Sequence, residues 1–367
     1  MNVKPSDCGS IEISAHARLH FGLMEICPGE PHCYGGIGLM VEEPGSCVRA
    51  CLGDGSGVDG LEIEAEPYWR DRIVQAVNQW LRWRQGSCLP VTMIRVERAP
   101  EPHIGLGSGT QFACSLVGLM EAAARVRMRS EPDASSLGVD DPSASIRSAS
   151  IAVCDLFPDA MSLAQTSGRG KRSFIGMEGF LRGGLIWDEG QAGSTEPSHV
   201  EIRRTGSYAF PSAWRVMLLS DRSYVGDSGL KEAALFEQCA RSPNRHRDSM
   251  LRLVQEELLP ALGAEDFEGC SRAIGLYGAM AGEIFRPAQG GIYRSPAIAE
   301  LVECTQAMGC MGVGQSSWGP TVFAIVPDEE NALWLSERLG ERFGPALQRV
   351  LTRVAGSAQC GLVGSGS

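Results

Sequence analysis

The segment Pro102-His103-Ile104-Gly105-Leu106-Gly107-Ser108-Gly109-Thr110-Gln111 constrains this chain more than any other, because it runs straight into the apolar stretch Phe112–Met120. Three glycines fall within five positions. A loop without Cβ atoms lets its backbone approach a ligand closely. The N–H groups opening the next helix have no intrahelical partner and lie at the positive end of its dipole. A strand over Val91–Val96, then the glycine loop, then a buried helix over Gln111–Met128 make a ready phosphate site. A plain tight turn has the same local signature, so the decision rests on the other segments.

At 367 residues the chain exceeds what one hydrophobic core usually serves, and two domains are expected, 1–200 and 201–367. Strands interleaved with helices in the second half predict an α+β domain. Hydrophobic residues at 43% and charged ones at 21% fit a soluble globular protein, and no apolar run approaches the ~20 residues that cross a bilayer. With no signal-like N-terminus, the expected address is cytoplasmic, with no membrane partner. The 13 cysteines are scattered without a Cys-x-x-Cys pair, which favours free thiols over disulfides or zinc. A net charge of −11 argues against nucleic acid as a partner, but leaves room for a local basic pocket that takes a small anion.

Ile11, Ile13, Ala15, Ala17, Leu19 and Phe21 alternate with polar residues, the pattern of a half-buried strand that puts His16, Arg18 and His20 on one face. That face is either the solvated side of an edge strand or a row of anion-facing donors. Tyr34-Gly35-Gly36-Ile37-Gly38-Leu39 is a second glycine-rich element, a hairpin or bulge or a backbone surface for a substrate ring. Amphipathic spacing predicts a helix over Arg70–Arg84, and further helices are expected over Ala144–Leu156, Ser228–Ala240, Ser249–Leu262, Asp266–Phe285 and Glu329–Phe343. Phe180–Asp188 reads as a strand. Gly168-Arg169-Gly170-Lys171-Arg172-Ser173 holds three cations within four residues, either an exposed turn or an anion grip. Gly312–Pro320, including Gly314-Gln315-Ser316-Ser317-Trp318, is the fourth glycine-rich element.

Pro102-x-x-Gly-Leu-Gly-Ser-Gly, one residue shorter between Pro and Gly, resembles the phosphate loop of the GHMP kinase superfamily, usually Pro-x-x-x-Gly-Leu-Gly-Ser-Ser-Ala. Ala17-Arg18-Leu19-His20-Phe21-Gly22-Leu23, Tyr34–Leu39, Gly105–Gln111, Gly168–Gly170 and Gly314–Pro320 together resemble one branch of it, the β-ribofuranosylaminobenzene 5′-phosphate synthases. The resemblance implies a two-domain fold, with an N-terminal domain like ribosomal protein S5 domain 2 and a ferredoxin-like α+β C-terminal domain. It implies condensation of phosphoribosyl pyrophosphate with 4-hydroxybenzoate or 4-aminobenzoate, loss of pyrophosphate and carbon dioxide, and a product that feeds tetrahydromethanopterin-type carriers. Mg²⁺ as cofactor and a possible homodimer also follow from it.

On that basis Arg18, His20, Arg169 and Lys171 are the candidate catalytic residues. Gly105, Leu106, Gly107, Ser108, Gly109, Thr110 and Gln111 would cradle the pyrophosphate, with Ser108 and Thr110 as candidate metal contacts. Gly170, Arg172 and Ser173 would hold a second anion, since an Arg fork suits planar oxyanions. Tyr34 and Trp318 would flank the aromatic acceptor, beside Gly35, Gly36, Gly314, Gln315, Ser316 and Ser317. Between Ala164 and Gly176 there is no Asp or Glu, where many kinases of the superfamily carry a base. Asp155 and Asp159, just upstream, are the alternatives for that role. An ATP-dependent kinase and a non-catalytic sugar-phosphate-binding protein are the competing readings.

Overall fold

The computed structural model describes residues 9–26, 34–55, 57–86, 88–130, 150–193, 200–202, 205–221, 239 and 244–363. The helix expected over Ser228–Ala240, save Cys239, and the first six residues of that expected over Ala144–Leu156 lie outside them. The remainder of the latter is a short strand, β5 (Ser150–Ala152), and one helical turn, α3 (Val153–Leu156).

The alternating segment forms β1 (Ser10–Leu23), but not at an edge. It lies between β2 (Gly36–Gly55) and the late strand β14 (Gln359–Val363), antiparallel to both. The first sheet has eight strands: β3 (Glu62–Glu64) and β4 (Leu89–Arg98) flank β2 on one side, β5 follows β14 on the other, and β6 (Leu185–Asp188) joins β2 to β9 (Thr205–Tyr208). Two strands from beyond residue 200, β9 and β14, thus belong to the sheet that β1 opens. A separate two-stranded ribbon pairs β7 (Gln191–Gly193) with β8 (Val200–Ile202).

Two helices cover that sheet. α1 (Pro67–Arg84) starts with Pro at its first position, where the missing N–H costs nothing, and ends at Gln85 in the left-handed region. Its Trp69, Ile73, Val77 and Trp80 are buried against α2 (Ser108–Ser130), where Phe112, Leu116 and Met120 meet Ile11, Ile13 and Ile94 of the sheet. Each such side chain removed from water contributes about 1.5–3 kcal/mol.

The segment expected as one strand over Phe180–Asp188 is instead the end of a helix followed by β6. After α4 (Ala160–Ser167), α5 (Ile175–Arg182) stops at Gly183-Gly184, both at positive φ. A Cβ on Gly183 would lie 2.1 Å from the carbonyl carbon of Gly356, so the close pass of a distant segment ends the helix here.

The second sheet runs β11 (Val313–Gln315), β12 (Val322–Val326), β10 (Arg215–Asp221), β13 (Leu347–Thr352), all antiparallel, which is the ferredoxin-like order. Between β10 and β11 the chain runs first through α6 (Arg247–Arg252), a π-helical turn and α7 (Leu259–Gly263). α8 (Phe267–Gln289), α9 (Pro296–Ala307) and α10 (Glu329–Phe343) follow, capped by the side chains of Asp266, Ser295 and Asp328. Ala17, Leu19 and Phe21 of β1 pack in one core with Leu218, Ile274, Tyr277 and Phe323, so β1 joins the two sheets.

Candidate active site

Three of the glycine-rich or strand motifs lock to one another through the backbone. Arg18 N donates to Leu106 O at 2.9 Å, and Ser317 N donates to His20 O at 2.8 Å. The Ser316 hydroxyl accepts from His20 N at 3.1 Å and donates to Gly105 O at 2.7 Å. Thr321 Oγ1 donates to Ile104 O at 2.6 Å. Gly107, at φ +66°, leaves room for Arg18, whose Nε would be 2.9 Å from a Cβ there. Two non-glycine residues of these loops, His103 (φ 65°) and Ser317 (φ 54°), also adopt the left-handed region, a strain that collects at functional sites.

Around this junction opens a cleft of about 550 Å³. Arg18, Arg72, Arg169, Lys171 and Arg172 line it, and among the described residues no Asp or Glu does. In a chain of net charge −11 this is a concentrated field for an anion. The first N–H groups of α2 open on the same space beside Ser108, Gly109 and Thr110. Phe285 and Tyr293, with Trp318, add an aromatic wall; the Phe285 and Trp318 rings meet edge to face at 4.8 Å.

Burial sets the charge states. Arg18 Nε is shielded from solvent and has no hydrogen-bond partner among the described residues, and desolvation pulls the guanidinium down to about 10. It remains a cation at neutral pH. Burial, with the Arg18 charge second, pushes His20 down to about 3. Its Nδ1 accepts from Gly22 N at 3.1 Å, so the neutral ring carries its proton on Nε2. His20 is therefore a fixed hydrogen-bond donor at neutral pH. Arg169 is lowered by desolvation first and then by the neighbouring Arg72 charge.

Of the residues singled out from sequence, the cleft wall brings together Arg18, His20, Gly105, Gly107, Ser108, Gly109, Thr110, Arg169, Gly170, Lys171, Arg172, Ser173, Gln315, Ser317 and Trp318. The others sit behind it. Leu106 belongs to the core between the sheets, Gln111 Nε2 donates to the Gly176 carbonyl at 2.8 Å, and Ser316 makes the bridge described above. Gly36 pairs with Leu23 and Asp188, a Cβ on Gly35 would be 2.9 Å from Asp188 O, and Gly314 backs onto the Phe323 ring. Tyr34 packs with Ile26, Ile284 and Trp318 in a small apolar cluster. His16 shares the alternation with Arg18 and His20 but not the cleft; it bonds to the backbone at Glu42 and Ser357, beyond a register shift at Ala15/Ala17. Asp155 and Asp159 are exposed and off the wall, and Asp159 caps α4.

Sequence reasoning missed Tyr68, Arg72 and His103, which line the same cleft. Tyr68 OH and His103 Nε2 are 3.2 Å apart, and the Arg72 guanidinium lies over the Tyr68 ring at 5.4 Å. The signal was present as an i, i+4 pair on α1.

Asp188 fixes the end of the basic turn. Its fully buried carboxylate accepts from Phe174 N at 2.8 Å and Gly190 N at 3.0 Å, yet desolvation, aided by Glu178 and Glu189, pushes it up to about 6. The folded state thus binds this proton more tightly than the unfolded chain, whose Asp titrates near 3.8. The associated stability is complete below 3.8 and is lost as pH rises through 6, on the order of 3 kcal/mol in all. The difference in unfolding free energy between wild type and Asp188→Asn should fall between about pH 4 and 6 and level off above. A flat difference in urea melts across that range would contradict the assignment.

A divalent ion would find only neutral oxygens here. Ser108 and Thr110 contribute hydroxyls, and among the described residues no group of three His, Cys, Asp or Glu side chains is placed to hold a metal. Mg²⁺ usually takes one or two carboxylates together with substrate phosphates. The donor set fits an ion already chelated by a phosphorylated ligand, not one held by the protein alone.

Solved structures extend the geometry. A homoserine kinase from Cytophaga hutchinsonii superposes with a TM-score of 0.59 at 14% identity, covering 98% of each chain. The mevalonate diphosphate decarboxylase from Enterococcus faecalis gives 0.59 at 14%, covering 96% of this chain and 98% of the other. Residues 258–345 match the family profile of the GHMP kinases C terminal domain. The fold is that of the GHMP kinases.

Within that GHMP framework, curated sequences of another activity resemble this chain over most of its length. A β-ribofuranosylphenol 5′-phosphate synthase from Methanothermobacter thermautotrophicus is 24% identical over 333 residues, 86% of this chain and 89% of the relative. The synthase of the same name from Archaeoglobus fulgidus is 25% identical over 343 residues, 91% and 92% of the two chains. Among the described residues no helix is long and apolar enough to cross a membrane.

Proposed function

We propose that the chain is a β-ribofuranosylphenol 5′-phosphate synthase, joining phosphoribosyl pyrophosphate to 4-hydroxybenzoate or its 4-amino analogue. The observation that carries this reading is a cleft whose described lining residues include five cations and no carboxylate. A kinase must take a proton from an acceptor alcohol, for which a carboxylate base is the usual means. Decarboxylative C-riboside formation needs none. The ring carbon bearing the carboxylate bonds to C1′ of the ribose as the C1′–oxygen bond breaks and its electron pair leaves with pyrophosphate. The C–CO₂ bond then breaks, its electron pair restores the aromatic ring, and carbon dioxide departs.

Charge therefore builds on the leaving pyrophosphate, and prepositioned donors aimed there supply the main catalytic term. The α2 N-terminus with the Gly105–Thr110 loop and Arg18 is suited to that group. His20 adds a neutral donor, and Arg169, Lys171 and Arg172 suit the pyrophosphate, the 5′-phosphate or the benzoate carboxylate. Trp318, Phe285 and Tyr293 offer the aromatic ring a wall. Mg²⁺ chelated by the pyrophosphate, with Ser108 and Thr110 as added oxygen contacts, would neutralise part of its charge.

The test incubates purified protein and Mg²⁺ with phosphoribosyl pyrophosphate and 4-hydroxybenzoate or 4-aminobenzoate, and separately with ATP and a polyol panel. Equimolar carbon dioxide and pyrophosphate release is expected from the first mixture, and Arg169→Ala should lose it while melting near the wild-type temperature. Phosphorylated polyol with no carbon dioxide release would replace the synthase reading with a kinase. Ligand binding without any turnover would leave a sugar-phosphate-binding protein.

A further inference from the structure

A second cavity, of about 270 Å³, adjoins the cleft between α1 and α2, and Arg72, Gly109, Gly168 and Arg169 border both. Among the described residues neither cavity has an Asp or Glu on its wall. Two half-buried arginines are thus brought close with no carboxylate among the described lining residues to offset them, an arrangement that costs free energy unless an anion lies between. Arg72 is also held in place: its Nη2 donates to Tyr68 OH at 3.4 Å, and Tyr68 is tied to His103 of the glycine loop. His103 itself holds a left-handed φ of 65°. Gly109 stands at the passage between the cavities, and a Cβ there would meet nothing within 4 Å. The GHMP loop usually has Ser at this position, so the passage is wider here than in that pattern.

We infer that Arg72 and Arg169 clamp the outer phosphoryl group of a diphosphate whose inner group lies at the Gly105–Thr110 loop, the ligand passing over Gly109. Arg72 is thereby a residue that selects diphosphate over monophosphate. The assignment rests on the proposed function for its ligand class, since the leaving group there is a pyrophosphate. Arginine forks suit two such phosphoryl oxygens better than a lysine point charge does.

Calorimetric titration of the full chain with inorganic pyrophosphate and with orthophosphate, in magnesium buffer, tests the clamp without turnover. Wild type should prefer pyrophosphate at least tenfold. Arg72→Ala should weaken pyrophosphate at least tenfold and orthophosphate less than twofold, and Arg72→Lys should fall between. Gly109→Ala, which meets no atom in the ligand-free protein, should also weaken pyrophosphate selectively and covers the case of an Arg72 variant that fails to fold. Pyrophosphate affinity unchanged within twofold in both Arg72→Ala and Gly109→Ala, or equal loss of the two anions, overturns the clamp. If selective loss is found but no carbon dioxide is released from phosphoribosyl pyrophosphate and the aromatic acids, the proposed function fails and the clamp stands. If turnover is found with no selective loss, the reverse holds.

Discussion

Replacing Arg18 with Met should abolish turnover and raise the melting temperature of the ligand-free protein. The guanidinium lies among Gly107, Gly176 and the start of α2, its Nε has no partner among the described residues, and burial lowers it from 12.5 to about 10. A depression of that size corresponds to roughly 3 kcal/mol of disfavour for the charged form. Methionine keeps much of the apolar stem without the charge, so about 1–3 kcal/mol of stability should be regained, a shift of several degrees. The same charge lies against Gly107 of the glycine loop, and under the proposed function its loss leaves the departing pyrophosphate without a fully buried cation. A thermal melt and the turnover assay on one preparation decide the matter. A lower melting temperature with retained turnover would make Arg18 a packing residue. The expected pairing, stability gained and activity lost, marks a site whose strain serves ligand binding.

Gly105→Ala should do the opposite to the fold. Gly105 sits at φ +88°, and a Cβ would be 2.5 Å from Ser316 O and 2.9 Å from Gly319 Cα. The backbone strain alone costs about 1–3 kcal/mol, and overpacking against main-chain atoms adds about as much. The loss should be of order 3 kcal/mol or more in urea unfolding, with activity lost as the two loops part. Gly109→Ala, four residues on, should be neutral or slightly stabilising, because its Cβ meets no atom and alanine favours the helix. If both variants melt alike, the contact between Gly105 and the Ser316–Gly319 loop is not what shapes the site.

The contrast between these two glycines shows what the chain's letters disclose. Both stand in one motif and look equivalent in sequence; only the arrival of Gly319 from over two hundred residues away separates them. The alternation in β1 announced Arg18 and His20, since a period of two needs no distant information. It also grouped His16 with them, because a bulge changes the register without changing the pattern of apolar residues. Tyr68 and Arg72 escaped notice because α1 declares its buried stripe, while its polar face takes meaning only from the loop that lands beside it. The helix–strand break at Gly183 was hidden for the same reason, being set by Gly356. The helix that follows the glycine loop and the late α+β alternation are local, and they were legible.

The pairing of β1 with β14 bears on how the protein comes into being. Ile11 lies opposite Leu362 and Ile13 opposite Cys360, so the first strand to leave the ribosome waits for one of the last. Contacts of such sequence separation form slowly, because chain closure must precede any gain from them. Until β14 docks, β1 exposes one edge over Ser10–Ser14, and the Ser316–Gly319 loop that locks to His20 and Gly105 also comes late in the chain. Chaperone dependence during synthesis, and recovery of ligand binding only after the slowest refolding phase, are the expected signature. In this chain the completion of the cleft wall is a late event of biosynthesis.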